Sequence, residues 1–112
     1  MPLTVRKSSA FFADFERIAR WYVREAGAEV AQRWLDALDA TVREVGSTPG
    51  LGRRRRFRHP ELSGLRSFPI RRPFHRYLLF YRWGAAELVV ERVIHGARDL
   101  PKRLLEHPVT PD

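Results

Sequence analysis

Apolar residues in the first half of the chain recur at the three- and four-residue spacing of an amphipathic α-helix. A short alternating stretch at 3–6 predicts a first strand, and two helical runs follow at 10–25 and 28–45. Ser8, or the serine after it, can cap the first helix, and Gly27 breaks the pattern between the two. A connection this short predicts an antiparallel helical hairpin.

The helical spacing also indicates which residues face the core. Gly46, with Pro49 soon after it, suits the end of the second helix. The charged residues of the first helix, Asp14 among them, are predicted to lie on its exposed face. The predicted core residues are Phe11, Phe15, Ile18 and Tyr22, with Phe12 and Ala19 alongside, and Ala31, Trp34, Leu35, Leu38, Val42 and Val45.

The second half of the chain changes to the period-two alternation of β-strands. Strands are predicted at 65–70, 75–83 and 87–95, and Pro69 places the first of these at an edge or a bulge. A short helix is predicted near the C-terminus, at 100–106. The order β-α-α-β-β-β predicts an α+β fold, in which a helical hairpin covers one face of a small, mainly antiparallel sheet.

The sheet face opposite the helices is predicted to be open, with aromatic and basic side chains exposed on it. Such a face can hold phosphates with arginines and stack bases on its rings, or it can anchor a helix or strand of a protein partner. For each ring, the alternative is that it simply completes the core of its strand. The candidate side chains are Tyr77, Tyr81, Trp83, Arg66, Arg76 and Arg82.

Charge is concentrated in one segment of this 112-residue chain. Between positions 53 and 76 there are nine arginines against the single acidic residue Glu61, which accounts for the whole net charge of +8. Like charges repel, so the run 53–58 is predicted to be exposed and mobile until a partner orders it. The segment therefore indicates an acidic partner, either nucleic acid or protein.

Composition narrows the possible classes of binding site and of cellular location. There is no cysteine, and the four histidines are not at metal-ligand spacing, so neither a metal nor another cofactor is expected. No uncharged run approaches the roughly 20 residues needed to cross a membrane, and the N-terminus lacks the apolar core of a signal peptide. The expectation is a cytoplasmic protein with one domain, 1–112.

Three segments carry a resemblance to a known family: ERVIHGARDLP at 91–101, HRYLLFYRW at 75–83 and PELSGLRSFPI at 60–70. The chain resembles the ParE-type toxins of the RelE/ParE superfamily, which belong to bacterial type II toxin–antitoxin systems. The resemblance covers nearly the whole chain. It implies a toxin that inhibits DNA gyrase by binding it and trapping it on DNA, and that a cognate ParD-like antitoxin neutralises.

The resemblance also implies an alternative, because ribosome-dependent mRNA endonucleases share the fold. Metal-free RNA cleavage needs a base, an acid and cations around the phosphate. The candidates for those roles are His95 as base or acid, Arg98, Arg66 and Arg76 as cations, and Tyr81 as a hydroxyl. The nuclease branch usually has an arginine where this chain has Leu78, three residues before Tyr81. Binding without catalysis is therefore favoured, and a plain nucleic-acid-binding domain is a third class.

In the ParE-like interpretation, one set of residues is expected to contact the antitoxin, gyrase or the gyrase–DNA complex. The set combines the arginine run, the open sheet face, the loop after the last strand and the C-terminal helix: Arg53, Arg54, Arg55, Arg56, Arg66, Arg76, Tyr77, Tyr81, Trp83, Arg98, Lys102 and Arg103.

Overall fold

A helical hairpin lies on a five-stranded sheet in the computed structural model, which describes residues 3–96 and 100–106. The predicted α+β order is confirmed, with a two-residue strand and two 3₁₀ turns (Pro49–Leu51 and Pro60–Leu62) added to it. The elements are β1 (Thr4–Lys7), α1 (Ser9–Ala26), α2 (Ala28–Ser47), β2 (Arg53–Arg54), β3 (Arg66–Pro69), β4 (Tyr77–Trp83), β5 (Glu87–His95) and α3 (Leu100–Leu105).

The sheet has the strand order β1-β5-β4-β3-β2, in which β1 is parallel to β5 and the other pairs are antiparallel. The register of the central hairpin shifts between Phe80, which is opposite Arg92, and Tyr81, which is opposite Val90. Glu91 is the extra residue of this β-bulge. The bulge keeps Val90 and Val93 on the helix-facing side of β5, although they are three residues apart.

The hairpin forms as the spacing predicts. The Ser8 side chain accepts a hydrogen bond from the Phe11 amide at 3.0 Å, which caps α1. Gly27 joins the two helices with a φ of 94°, in the region that favours glycine. The expected stop at Gly46 is wrong, because α2 continues to Ser47. A Cβ at Gly46 would lie 3.1 Å from a Val5 methyl, so the glycine instead allows close packing on β1.

Most of the predicted core positions are buried between the hairpin and the sheet. Phe12 is an exception, since it is 43% exposed. Neither long helix is apolar enough to span a membrane, and nor is any other helix in the described part of the chain. The buried residues of this main core are Phe11, Ile18, Trp34, Leu38, Val42, Val45, Ile70, Phe74, Leu79, Tyr81, Leu88, Val90 and Val93.

Asp14 is fully buried, which overturns its predicted place on the exposed face of α1. Its carboxylate accepts hydrogen bonds from Arg92 Nε at 2.7 Å and Arg92 Nη2 at 2.9 Å. The same carboxylate accepts the Val93 amide at 3.1 Å. Strand β1 pairs with β5 only as far as Val90. Asp14 therefore satisfies a backbone donor of β5 beyond the end of its neighbouring strand.

The guanidinium of Arg92 also holds the C-terminal helix. Its Nη1 donates to the carbonyl oxygens of Arg103, Leu104 and Glu106 at 3.1, 3.2 and 2.9 Å. These carbonyls lie at the end of α3, where helices leave acceptors without intrahelical partners. A cation is also favoured there by the helix dipole. One arginine thus connects α1, β5 and α3.

The far face of the sheet is closed, so the prediction of an open face is wrong. Side chains from 57–65 and from α3 pack over it. Arg82 fixes this cover by donating to the carbonyls of Ser63 and Glu61 at 2.7 and 2.9 Å. The second core consists of Leu62, Leu65, Phe80, Ile94 and Leu104, with Phe57, Leu78 and Leu100 packed against it.

The buried pair gives a stability prediction. Asp14→Ala leaves the Arg92 cation buried without its carboxylate, so the free energy of unfolding should fall by about 3–5 kcal/mol in urea denaturation. The control is Asp39→Ala, which removes an exposed pair with Arg43 and should cost less than about 1 kcal/mol. Equal losses in the two variants would contradict an anchoring role for Asp14.

Candidate interaction surfaces

The Tyr81 side chain locks a turn and is not available at the surface. It is fully buried, its hydroxyl donates to the Pro49 carbonyl at 2.6 Å, and it accepts the Gly52 amide at 2.7 Å. A Cβ at position 52 would overlap the phenol ring, so glycine is required there. Burial raises the pKa of Tyr81. The prediction that Tyr81 lies on an open face is therefore wrong.

Arg66 and Trp83 connect Tyr81 and its turn to the protein surface. Arg66 Nη1 donates to the Gly52 carbonyl at 2.8 Å, and its guanidinium carbon lies 4.7 Å from the centre of the Trp83 ring. Trp83 stacks at 6.3 Å on Tyr81 and is 38% exposed. Trp83 is thus the one ring of the predicted set that leaves a large part of its surface to solvent.

The start of the arginine run is ordered by the sheet, in contrast to the predicted mobility of 53–58. Arg53 and Arg54 form β2, paired with Ser67 and Arg66 of β3. Arg55 is half-buried with its guanidinium 5.7 Å from the Phe57 ring, and burial together with the nearby Arg53 lowers the pKa of Arg55. Backbone pairing outweighs the repulsion because the side chains of β2 project into solvent.

A groove of about 620 Å³ separates the rest of the run from α3. We name it the basic groove. Arg58 and Lys102 are exposed at it and Leu105 is 38% exposed, so cations surround an apolar floor. It is lined by Arg56, Phe57, Arg58, His59, Pro60, Pro101, Lys102 and Leu105.

Tyr77 faces the helices at the opposite end of β4, and not the far side of the sheet as predicted. Its ring lies 4.8 Å from Trp34, and the exposed His95 meets its edge at 5.3 Å. The Tyr77 ring also lies 6.4 Å from that of Tyr22. Burial and the neighbouring Tyr77 raise the pKa of Tyr22 to about 12. Arg76 is exposed beside this cluster, where its carbonyl accepts the Gly96 amide at 2.7 Å.

The candidate nuclease residues fall into two groups at opposite ends of the central strands. Tyr77 is opposite His95, whereas Tyr81 is opposite Val90 and beside Arg66. Four residues of strand separate the two ends, which is about 13 Å. His95 therefore does not share a site with Tyr81 and Arg66. Arg98 lies outside the described residues.

A shallow apolar groove of about 130 Å³ runs between the two long helices. We name it the hairpin groove. The periodicity places Phe12 alongside the core, whereas the structure leaves this ring at the groove, beside Lys7 at the end of β1. The outer edge of β1 is unpaired in the sheet order, and all four of its residues are exposed. The groove is lined by Lys7, Phe11, Phe12, Phe15, Leu35, Leu38, Asp39 and Val42.

This architecture is also found in a solved structure. A structure titled "Chromosomal ParDE TA system from P. aeruginosa" matches with a TM-score of 0.69 at 19% identity, over 85% of this chain and 97% of that chain. The fold is thus one found in a toxin–antitoxin system. None of the curated proteins matches the chain.

The family model is more specific. The model described as "ParE toxin of type II toxin-antitoxin system, parDE" matches residues 5–100. The chain therefore belongs to the ParE toxin family, as the three sequence segments predict.

The tyrosine lock can be tested by Tyr81→Phe. Without the hydroxyl, the Pro49 carbonyl and the Gly52 amide lose a buried partner, which should lower the free energy of unfolding by about 1–3 kcal/mol. Hydrogen exchange should accelerate at the amides of Gly52 and Arg55, while exchange in β1 stays unchanged and serves as the internal control. Unchanged exchange at Gly52 would show that the hydroxyl does not hold the turn.

Proposed function

We propose that this ParE-family toxin inhibits DNA gyrase by binding it, as part of a gyrase–DNA complex, and that a cognate ParD-like antitoxin neutralises it. The observation that supports binding is that the candidate catalytic side chains lie at two separate ends of β4. Tyr81 and Arg66 hydrogen-bond the turn at 49–52, and Tyr81 lies about 13 Å along β4 from Tyr77, the residue opposite His95. The described residues of the nuclease set do not converge on one phosphate, so binding is favoured over RNA cleavage.

The basic groove is the surface proposed to meet the target. Its cations come from two separate segments, the arginine run and α3, which the second core holds together. Apolar side chains between them, the half-buried Phe57 and the exposed Leu105, provide area for a protein contact. The exposed Arg53 and Arg54 continue the positive surface along β2. Such a surface suits a protein–DNA complex, where an acidic backbone lies beside protein.

The hairpin groove and β1 are the surface proposed for the antitoxin. An amphipathic helix can place an apolar side chain beside Phe12, and an extended segment can pair with the open edge of β1. Arg6 and Lys7 are exposed on that strand and favour carboxylates on the incoming chain. The two proposed surfaces share no lining residue. Neutralisation would then act at a distance from the target contact or by steric exclusion.

Expression of the toxin alone tests the proposed target. We expect cleavage complexes of gyrase on DNA to accumulate while mRNA remains intact, measured by trapping gyrase–DNA adducts and by mapping RNA ends. Abrupt arrest of translation with codon-specific mRNA cuts would instead support the nuclease alternative. Arg56→Ala, Arg58→Ala and Lys102→Ala together should weaken gyrase binding about tenfold, because each exposed ion contact contributes roughly 0.5 kcal/mol.

The matched control removes three arginines from the hairpin. Arg20→Ala, Arg33→Ala and Arg43→Ala change the net charge by the same amount away from the basic groove. If the control loses as much affinity as the groove variant, total charge and not the groove determines binding. Comparable unfolding midpoints for both variants exclude a folding defect.

The antitoxin surface is tested by Phe12→Asp. Placing a carboxylate at the centre of an apolar contact should weaken antitoxin binding about 100-fold, since a buried aromatic anchor contributes roughly 2–3 kcal/mol. Gyrase inhibition should persist, because the basic groove is unchanged. Val23→Asp is the control, as Val23 is a similarly exposed apolar residue of α1 outside the hairpin groove. Wild-type antitoxin affinity in the Phe12 variant would contradict this surface.

A further inference from the structure

A third groove, of about 410 Å³, lies between α1, the end of the central strands and α3. We name it the arginine–tryptophan groove. It shares no lining residue with the basic groove or with the hairpin groove. Its lining is Arg17, Ile18, Trp21, Arg24, Tyr77, His95 and Arg103.

The groove is cationic, with three guanidinium groups and no carboxylate in its lining. Asp14, which lies 3.7 Å from Arg17, is already satisfied by Arg92 and the Val93 amide. Within residues 3–96 and 100–106, the guanidinium groups of Arg24 and Arg103 have no hydrogen-bond or ion-pair partner. Unpaired guanidinium groups that converge on one groove are suited to phosphate, which accepts two parallel N–H bonds.

An exposed indole lies among these cations. Trp21 is 47% exposed, and its ring packs edge-on against Tyr22 at 5.1 Å. That contact supports the indole in place but leaves much of its surface to solvent. A supported aromatic ring flanked by arginines is the arrangement on which single-stranded nucleic acids stack their bases.

We propose that the arginine–tryptophan groove binds single-stranded nucleic acid, with a base stacked on Trp21 and the adjoining phosphates held by Arg24, Arg103 and Arg17. An unpaired strand is required because a base inside a duplex cannot present its face to the indole. An acidic peptide would engage the arginines but would make no use of the ring. This activity requires no gyrase and is independent of the proposed target.

The salt dependence of binding tests the phosphate contacts. A fluorescent oligodeoxythymidylate of about 12 nucleotides, within the site size of single-strand-binding proteins, is titrated with toxin at several salt concentrations. Arg24→Ala with Arg103→Ala should reduce the slope of log affinity against log salt by about 1.4, since each phosphate contact contributes roughly 0.7. These two residues are chosen because Arg17 contacts the buried Asp14.

The stacking contact is tested separately. Trp21→Ala should weaken binding about 5- to 150-fold without changing the slope, whereas Trp21→Phe should retain most of the affinity. The charge control is Arg33→Ala with Arg43→Ala, two exposed arginines of α2, which should leave the slope unchanged. Unfolding midpoints of all variants are compared with that of the wild type.

Three outcomes would overturn the proposal. An equal change of slope in the α2 control would show that binding follows net charge. Equal affinity for a duplex and a single strand would exclude stacking on Trp21. Tighter binding of a polyglutamate peptide than of the oligonucleotide would identify an acidic protein segment as the occupant. Because gyrase is absent from every assay, none of these results bears on gyrase inhibition.

Discussion

The buried ion pair between Asp14 and Arg92 is the interaction on which the rest of the structure depends. A buried charge is costly unless its hydrogen-bonding groups are satisfied. Here the carboxylate takes two guanidinium donors and a strand amide, and the guanidinium takes three further carbonyls. The position of α3 is therefore tied to that of α1 through β5. Through α3, the pair also supports one wall of the basic groove and of the arginine–tryptophan groove.

Both faces of the sheet are closed, so recognition has to occur at edges and between elements. The hairpin covers one face, and the segment 57–65 with α3 covers the other. The basic groove, the hairpin groove and the arginine–tryptophan groove lie between neighbouring structural elements. Tyr81 also connects separate parts of the fold, because its hydroxyl fixes the turn from which β2 begins. The start of the arginine run is therefore held in a fixed position relative to the core.

Much of the fold is predictable because the helical and strand periods are strong and the hairpin connection is short. The sequence-based prediction is wrong where the charge of a residue and its position in the helical repeat indicate different environments. Asp14 lies three residues after Phe11 and four before Ile18, so its spacing places it on the buried face, and its charge alone suggested exposure. Arg92, inside an apolar strand, is the matching signal. The cover of the far face is not predictable from periodicity, because Leu62, Leu65 and Leu104 lie in or beside elements of at most six residues, which are too short to show which sheet face they cover. Without that cover, the aromatic residues of β4 could not be assigned to the correct side.

The unpaired edge of β1 has a consequence for how the protein behaves before it meets any partner. An open strand invites copies of the same chain to align and aggregate. Arg6 and Lys7 stand exposed on this short strand, and like charges would oppose each other in such a pairing. A segment rich in carboxylates would meet attraction at the same positions. The positive charge of this edge therefore disfavours pairing between copies of the chain, whereas an acidic strand can still pair with it.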